Sequence, residues 1–125
     1  MSTFWDTAIG RSATVDRVFT AADLADYSAV TGRRLDPTIV PESLLTGMFS
    51  RLLGMDLPGP ESLYLNQTLT FSEPARIGET VTARVTVIAV RPTSAVVTLR
   101  AVVSVGDRVI CEGDAVVLAR QHPHS

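Results

Sequence analysis

Apolar residues follow two different periods along this chain of 125 residues, and the change of period divides it into helical and extended parts. Leu44, Leu45, Met48, Phe49, Leu52 and Leu53 recur at spacings of one and four, which places them on one broad helical stripe. Pro41 suits the first turn of that helix, where its missing N–H costs nothing, and Gly54 is the expected stop. After the Leu-Pro-Gly turn the period drops to two. Leu63, Leu65, Gln67, Leu69 and Phe71 alternate with Ser62, Tyr64, Asn66, Thr68 and Thr70, so the first set is expected to face inward. Three further Val- and Thr-rich runs follow, at Thr80–Val90, Ala95–Val105 and Arg108–Ala119. Arg91-Pro92-Thr93-Ser94 and Gly106-Asp107 supply the turns between them.

The first third of the chain is shorter in pattern. Residues 14–19 read as a strand, and Thr20 with Asp23 forms a capping-box signature ahead of a helix over 21–30, closed by Gly32. Asp36-Pro37 marks a loop. Consecutive strands with short turns make an antiparallel meander, and one apolar helix packed on it predicts an α+β domain. The chain length suits one domain over 1–125, with residues 120–125 expected to be a frayed tail.

Composition narrows function mainly by exclusion. The formal net charge is −2 and both signs are mixed along the chain, which argues against a nucleic-acid partner. No apolar run reaches the ~20 residues needed to span a bilayer, and the N-terminus lacks the pattern of a secretory leader, so no membrane partner and a cytoplasmic location are expected. All 11 basic residues are Arg, which removes Schiff-base and ammonium chemistry. The two histidines, His122 and His124, follow the last strand pattern. Cys111 lies inside a strand pattern with no neighbouring His, the setting of a buried structural thiol. No metal site and no cofactor are expected from so few His and Cys. Any catalysis falls to carboxylates, hydroxyls, amides, Arg or backbone N–H groups.

Between Ile39 and Ala89 the phrasing, IVPESLLTGMFSRLLG followed by LPGPESLYLNQTLTF, resembles the MaoC-like family of R-specific enoyl-CoA hydratases. That resemblance implies the hot-dog fold, an antiparallel sheet wrapped around a central apolar helix. It also implies an acyl thioester of CoA or an acyl carrier protein as partner, and a homodimer with two central helices side by side. The family carries a Gly-Asp-x-Asn-Pro-x-His loop and a His-Gly-Met at the helix start. Here the first reduces to Thr31-Gly32-Arg33-Arg34-Leu35-Asp36-Pro37 and the second reads Pro41-Glu42-Ser43. The Asp and His that activate water in the family therefore have no counterpart pair.

Carried over residue by residue, the family's oxyanion-binding Gly falls on Glu42, whose backbone N–H still lies at a helix N-terminus. Glu42 reads either as an ordinary first-turn acid or as a catalytic base, and the resemblance favours the second. Asp36 is the other catalytic candidate, against the ordinary reading of Asp-Pro as a turn. Ser43, Asn66, Gln67, Tyr27, Arg33 and Arg34 are candidate substrate-binding residues. The resemblance puts Asn66 near the pocket rim, while Gln67, Tyr27 and the Arg33-Arg34 pair also have plain readings as a satisfied core amide, a packed phenol and a solvated pair. Three functions remain open: a thioester enzyme with a rebuilt site, a silent subunit beside an active homologue, and a non-catalytic binder of an acyl or small apolar ligand. For the enzyme the open reactions are hydration or dehydration, conjugate addition, cyclisation and thioester hydrolysis.

Overall fold

The structure is a computed structural model that describes residues 3–32 and 36–122. A short helix α1 (Phe4–Thr7), which the sequence pattern did not reveal, precedes strand β1 (Ser12–Val18). Helix α2 (Ala21–Thr31) starts on the expected capping box: Asp23 N donates to Thr20 Oγ1 at 3.2 Å and Thr20 N donates to Asp23 Oδ2 at 2.8 Å. Gly32, at φ 68°, closes it with a bond from its N–H to Ser28 O. Helix α3 (Glu42–Met55) is followed by β2 (Ser62–Phe71), β3 (Thr80–Arg91), β4 (Val96–Val105) and β5 (Arg108–Ala119).

The five strands form one antiparallel sheet in the order β1-β3-β4-β5-β2. The sheet packs around α3 as the hot-dog arrangement requires. Leu45, Met48, Phe49, Leu52 and Leu53 are buried against Val81, Val85, Val97 and Leu99 from the strands. Each such side chain contributes ~1.5–3 kcal/mol when removed from water, so this stripe is the main reason the sheet closes on the helix. The opposite face of α3, with Ser43, Gly47, Ser50 and Arg51, is exposed. No helix among the described residues is long and apolar enough to cross a membrane.

Four local expectations are corrected. Gly54 does not stop α3, which runs one residue further; its C-cap is Asp56, whose N–H bonds Leu52 O, and beyond it Leu57 N also bonds Leu52 O and Gly59 N, at φ 105°, bonds Leu53 O. Ala95 belongs to the turn after Pro92–Ser94 and adopts a left-handed conformation, so β4 begins at Val96. Residues 121 and 122 do not fray. Trp5 Nε1 donates to His122 O at 2.8 Å, the Phe4 and His122 rings stack at 3.9 Å, and Gln121 Nε2 donates to Pro58 O at 3.0 Å.

The fourth correction bears on the site. β2 carries a bulge between Tyr64 and Asn66, so its alternation reverses at Leu65. Tyr64 lies opposite buried Val117 on the side of the sheet that carries α3 and is 37% exposed, against 49% and 51% for Leu63 and Leu65. Only beyond the bulge does the expected phase hold, with Gln67, Leu69 and Phe71 directed inward.

Candidate active site at the start of helix α3

Pro41 is the N-cap of α3 and provides no side-chain cap. Leu44 N finds Pro41 O at 3.1 Å, but no acceptor among the described residues meets the N–H groups of Glu42 and Ser43. Two unpaired donors at the positive end of a 14-residue helix form a site for developing negative charge.

Cavities flank this point on two sides. One, of about 360 Å³, lies between α3 and β1 and is lined by Val15, Phe19, Ser43, Met48 and Arg51 among others. The other, of about 250 Å³, is bounded by Glu42, Val40, Leu45, Phe71 and Glu73. Glu73 is paired, since Arg108 Nε lies 3.3 Å from its carboxylate, and Arg108 also grips both oxygens of Glu79 at 2.8 and 2.9 Å. Glu42 has no hydrogen-bonded or ionic side-chain partner among the described residues, and it is the free carboxylate of that cavity. The carboxylate acts on its surroundings: buried Cys111 is pushed up to about 11 by burial first, with the charges of Glu42 and Glu112 adding to it. Cys111 is thus the buried thiol that its strand position suggested.

The other candidates divide. Tyr27, on α2, and Ser43, on α3, share a hydrogen bond of 2.5 Å between their hydroxyl oxygens, which ties the two helices beside the larger cavity. Asp36 closes a turn: Oδ1 accepts from Thr38 Oγ1 at 2.7 Å and from Thr38 N at 2.8 Å. Those bonds, with a smaller contribution from the Arg76 charge, hold its carboxyl below the usual range and make it a poor base. Asn66 is exposed, paired in register with Val116 on the outer face of β2. Gln67 points to the inner side of the sheet, with a buried Nε2 that has no hydrogen-bond partner among the described residues. Arg33 and Arg34 lie outside the described residues.

Tyr64 is the residue that the sequence pattern hid. Burial raises its phenol pKa, and the nearby Ser50 hydroxyl and Gln67 amide oppose that rise, which places the phenol beside the exposed face of α3. Strict alternation had placed it outward; the bulge alone turns it in. Ser50 stands seven residues, ~10 Å, along the helix from Ser43. No contact among the described residues joins the polar set on β2 to Glu42.

Comparison with known proteins decides the family, because the thioesterase superfamily pattern matches residues 42–111, from the first residue of α3 into β5. The chain belongs to the hot-dog thioesterase superfamily. It is similar to the (R)-specific enoyl-CoA hydratase of Aeromonas caviae, with 36% identity over 124 residues covering 87% of this chain and 92% of that protein. Identity to an (R)-specific enoyl-CoA hydratase of Rhodospirillum rubrum is higher, 47%, but over 75 residues, 60% of this chain and 52% of that protein. The solved (R)-hydratase of A. caviae, described as involved in PHA biosynthesis, superimposes with a TM-score of 0.80 at 35% identity, covering 87% of this chain and 94% of that one. The fold and a kinship with acyl-thioester enzymes are therefore settled.

Proposed function

We propose that this superfamily member acts on acyl thioesters of CoA or an acyl carrier protein, with the α3 N-terminus as its oxyanion site and Glu42 as its base. The observation that carries this reading is that, among the described residues, the Glu42 and Ser43 N–H groups and the Glu42 carboxylate on the same helical turn all lack partners. The acyl chain occupies the cavity beside Ser43, and water sits in the smaller cavity beside Glu42.

One carboxylate and one oxyanion site suffice for thioester hydrolysis. Glu42 takes a proton from water as the oxygen attacks the carbonyl carbon, and the carbonyl electrons move onto an oxyanion held by the helix amides. Collapse of that intermediate breaks the C–S bond, and the departing thiolate takes the proton back from Glu42. Hydration of an enoyl thioester is the second reading, favoured by the 36% identity to the A. caviae hydratase. It needs one proton taken from water as its oxygen adds to the β-carbon and one delivered to the α-carbon, and Pro41 stands where the resembling family has His.

The enzyme works as a homodimer joined through β2. This strand is a sheet edge with an unpaired backbone ladder, and Leu63 and Leu65 on it are half exposed. The polar residues of β2 then approach a second α3.

The test is an assay of thiol release and of enoyl absorbance with acyl- and enoyl-CoA, on the wild type and Glu42→Gln. The variant keeps shape and helical position, and turnover is expected to fall ~100-fold or more with little change in melting temperature. Full turnover in the variant returns Glu42 to a first-turn cap. Failure to turn over any thioester favours a silent subunit, and a monomer at micromolar concentration in light scattering removes the dimer.

A further inference from the structure

The larger cavity carries a charge pattern that an alkyl chain does not require. Its wall holds two arginines, Arg17 and Arg51, against one carboxylate, Asp16, in a chain whose formal net charge is −2. Asp16 is occupied, since its Oδ1 accepts from Thr82 Oγ1 at 2.6 Å. Arg17 is occupied as well: it lies 3.4 Å from Asp23 and stacks over the Phe19 ring at 4.6 Å. Arg51 has no ionic or hydrogen-bonded side-chain partner among the described residues, yet it lines the same cavity as Ser43.

Gly47 is the second observation. It stands mid-helix between Ser43 and Arg51, in a position where Gly costs ~0.5–1 kcal/mol relative to Ala. Its backbone is ordinary, not left-handed, and a Cβ there would meet nothing within 4 Å. Neither backbone strain nor packing within the chain calls for Gly. Its effect is to leave the helix surface bare along the cavity, between the candidate oxyanion site and the Arg51 side chain.

We infer that the cavity takes an acyl group ending in a carboxylate, the half-thioester of a short dicarboxylic acid, with Arg51 gripping the far carboxylate. This rests on the acyl-thioester reading above. Geometry sets the length. Ser43 and Arg51 are eight residues apart, ~12 Å along the axis, and the Arg side chain leans back about one turn, leaving ~7 Å. An extended chain advances ~1.2 Å per bond, so four to six carbons span the gap. A planar guanidinium matches a carboxylate in two parallel bonds, and the apolar wall of Val15, Phe19 and Met48 suits the methylenes between. The phosphates of the carrier lie too far off. Its arm between sulfur and diphosphate is as long as about four extended residues, ~14 Å, and leads away from the carbonyl.

The test is calorimetric titration of the whole protein with CoA analogues in which CH₂ replaces the thioester sulfur, bearing a glutaryl or a pentanoyl group. These differ only at the end that Arg51 would meet. Wild type is expected to bind the glutaryl analogue about tenfold tighter, the lower range for bonds to a charged group. Arg51→Gln, at an exposed position that leaves the core intact, is expected to bind both alike with the pentanoyl affinity unchanged. Equal or tighter pentanoyl binding by the wild type overturns the inference and leaves the thioester reading standing. A preference that survives in Arg51→Gln overturns the assignment to Arg51. Equal weakening of both analogues puts Arg51 on the carrier and also overturns it. Binding of neither analogue refutes the thioester reading and this inference together.

Discussion

Gly113→Ala tests a close approach of backbone to backbone in the sheet. Gly113 sits in β5 opposite Leu69 of β2 and Ala101 of β4. A Cβ built there would lie 1.7 Å from Thr68 O, 2.7 Å from Thr68 C and 2.9 Å from Leu69 Cα. The obstacle is backbone, so no rotamer change relieves it. A tolerable carbon–oxygen contact is ~3.3 Å, and β2 must therefore retreat by ~1.6 Å. That displacement breaks about two ladder bonds at ~1 kcal/mol each and adds ~1–3 kcal/mol of overpacking strain. The expected loss is ~3–5 kcal/mol, or ~12–20 °C in melting temperature at ~4 °C per kcal/mol for a domain of this size. Urea and thermal unfolding followed by far-UV circular dichroism measure it. A variant that melts within ~4 °C of wild type would show that β2 yields cheaply and that the close approach is no constraint.

Two further outcomes follow from the buried groups. Cys111 should resist thiol reagents in the native state and react after denaturation. With its thiol pushed up from 9.0 to about 11, the folded state keeps a proton that the unfolded state loses, so stability should fall as pH rises through that window, a slope that Cys111→Ala should lack. Truncation after Arg120 removes the His122 ring and carbonyl that hold Phe4 and Trp5. The fluorescence of Trp5, the single tryptophan and 7% exposed, should shift to longer wavelength, with a loss of ~2 kcal/mol in a urea titration. An unchanged spectrum would mean that the tail does not cover the indole.

Local signals in the sequence were read correctly where the chain closes its own hydrogen bonds. The Thr20–Asp23 box and Gly32 are satisfied within one helix, and the expected bounds of α2 fall within one residue of those observed. The stripe of α3 is legible because the stripe is the core. Signals failed where a distant strand decides the outcome. The bulge at Leu65 exists only relative to Val116 and Val117 on β5, some fifty positions on, so period-two counting placed Leu63 and Leu65 inward and Tyr64 outward. Gly113 passed as one residue of a long strand, although an isolated Gly in a strand is a sign of close backbone approach. The docking of His122 depends on α1, a helix too short to have a periodic signal.

The candidate site follows the same division. Its electrostatic part belongs to one helix end, three consecutive residues long: Pro41 cannot cap with its side chain, and the N–H groups of Glu42 and Ser43 have no acceptor among the described residues. Its steric part is assembled from β1, α2 and β2, and no spacing in the sequence announces it. Tyr27 and Ser43 were each candidates, but their bond required α2 to lie across the first turn of α3. Asp36 shows the converse. An Asp-Pro pair two residues before a Thr is enough to form the turn that occupies its carboxylate, so its local chemistry outweighs the analogy that had drawn attention to it. With Asp36 held in that turn and Glu73 paired to Arg108, Glu42 is the carboxylate left at the helix end with no partner among the described residues. That is the physical reason a single substitution there can decide between an enzyme and a scaffold.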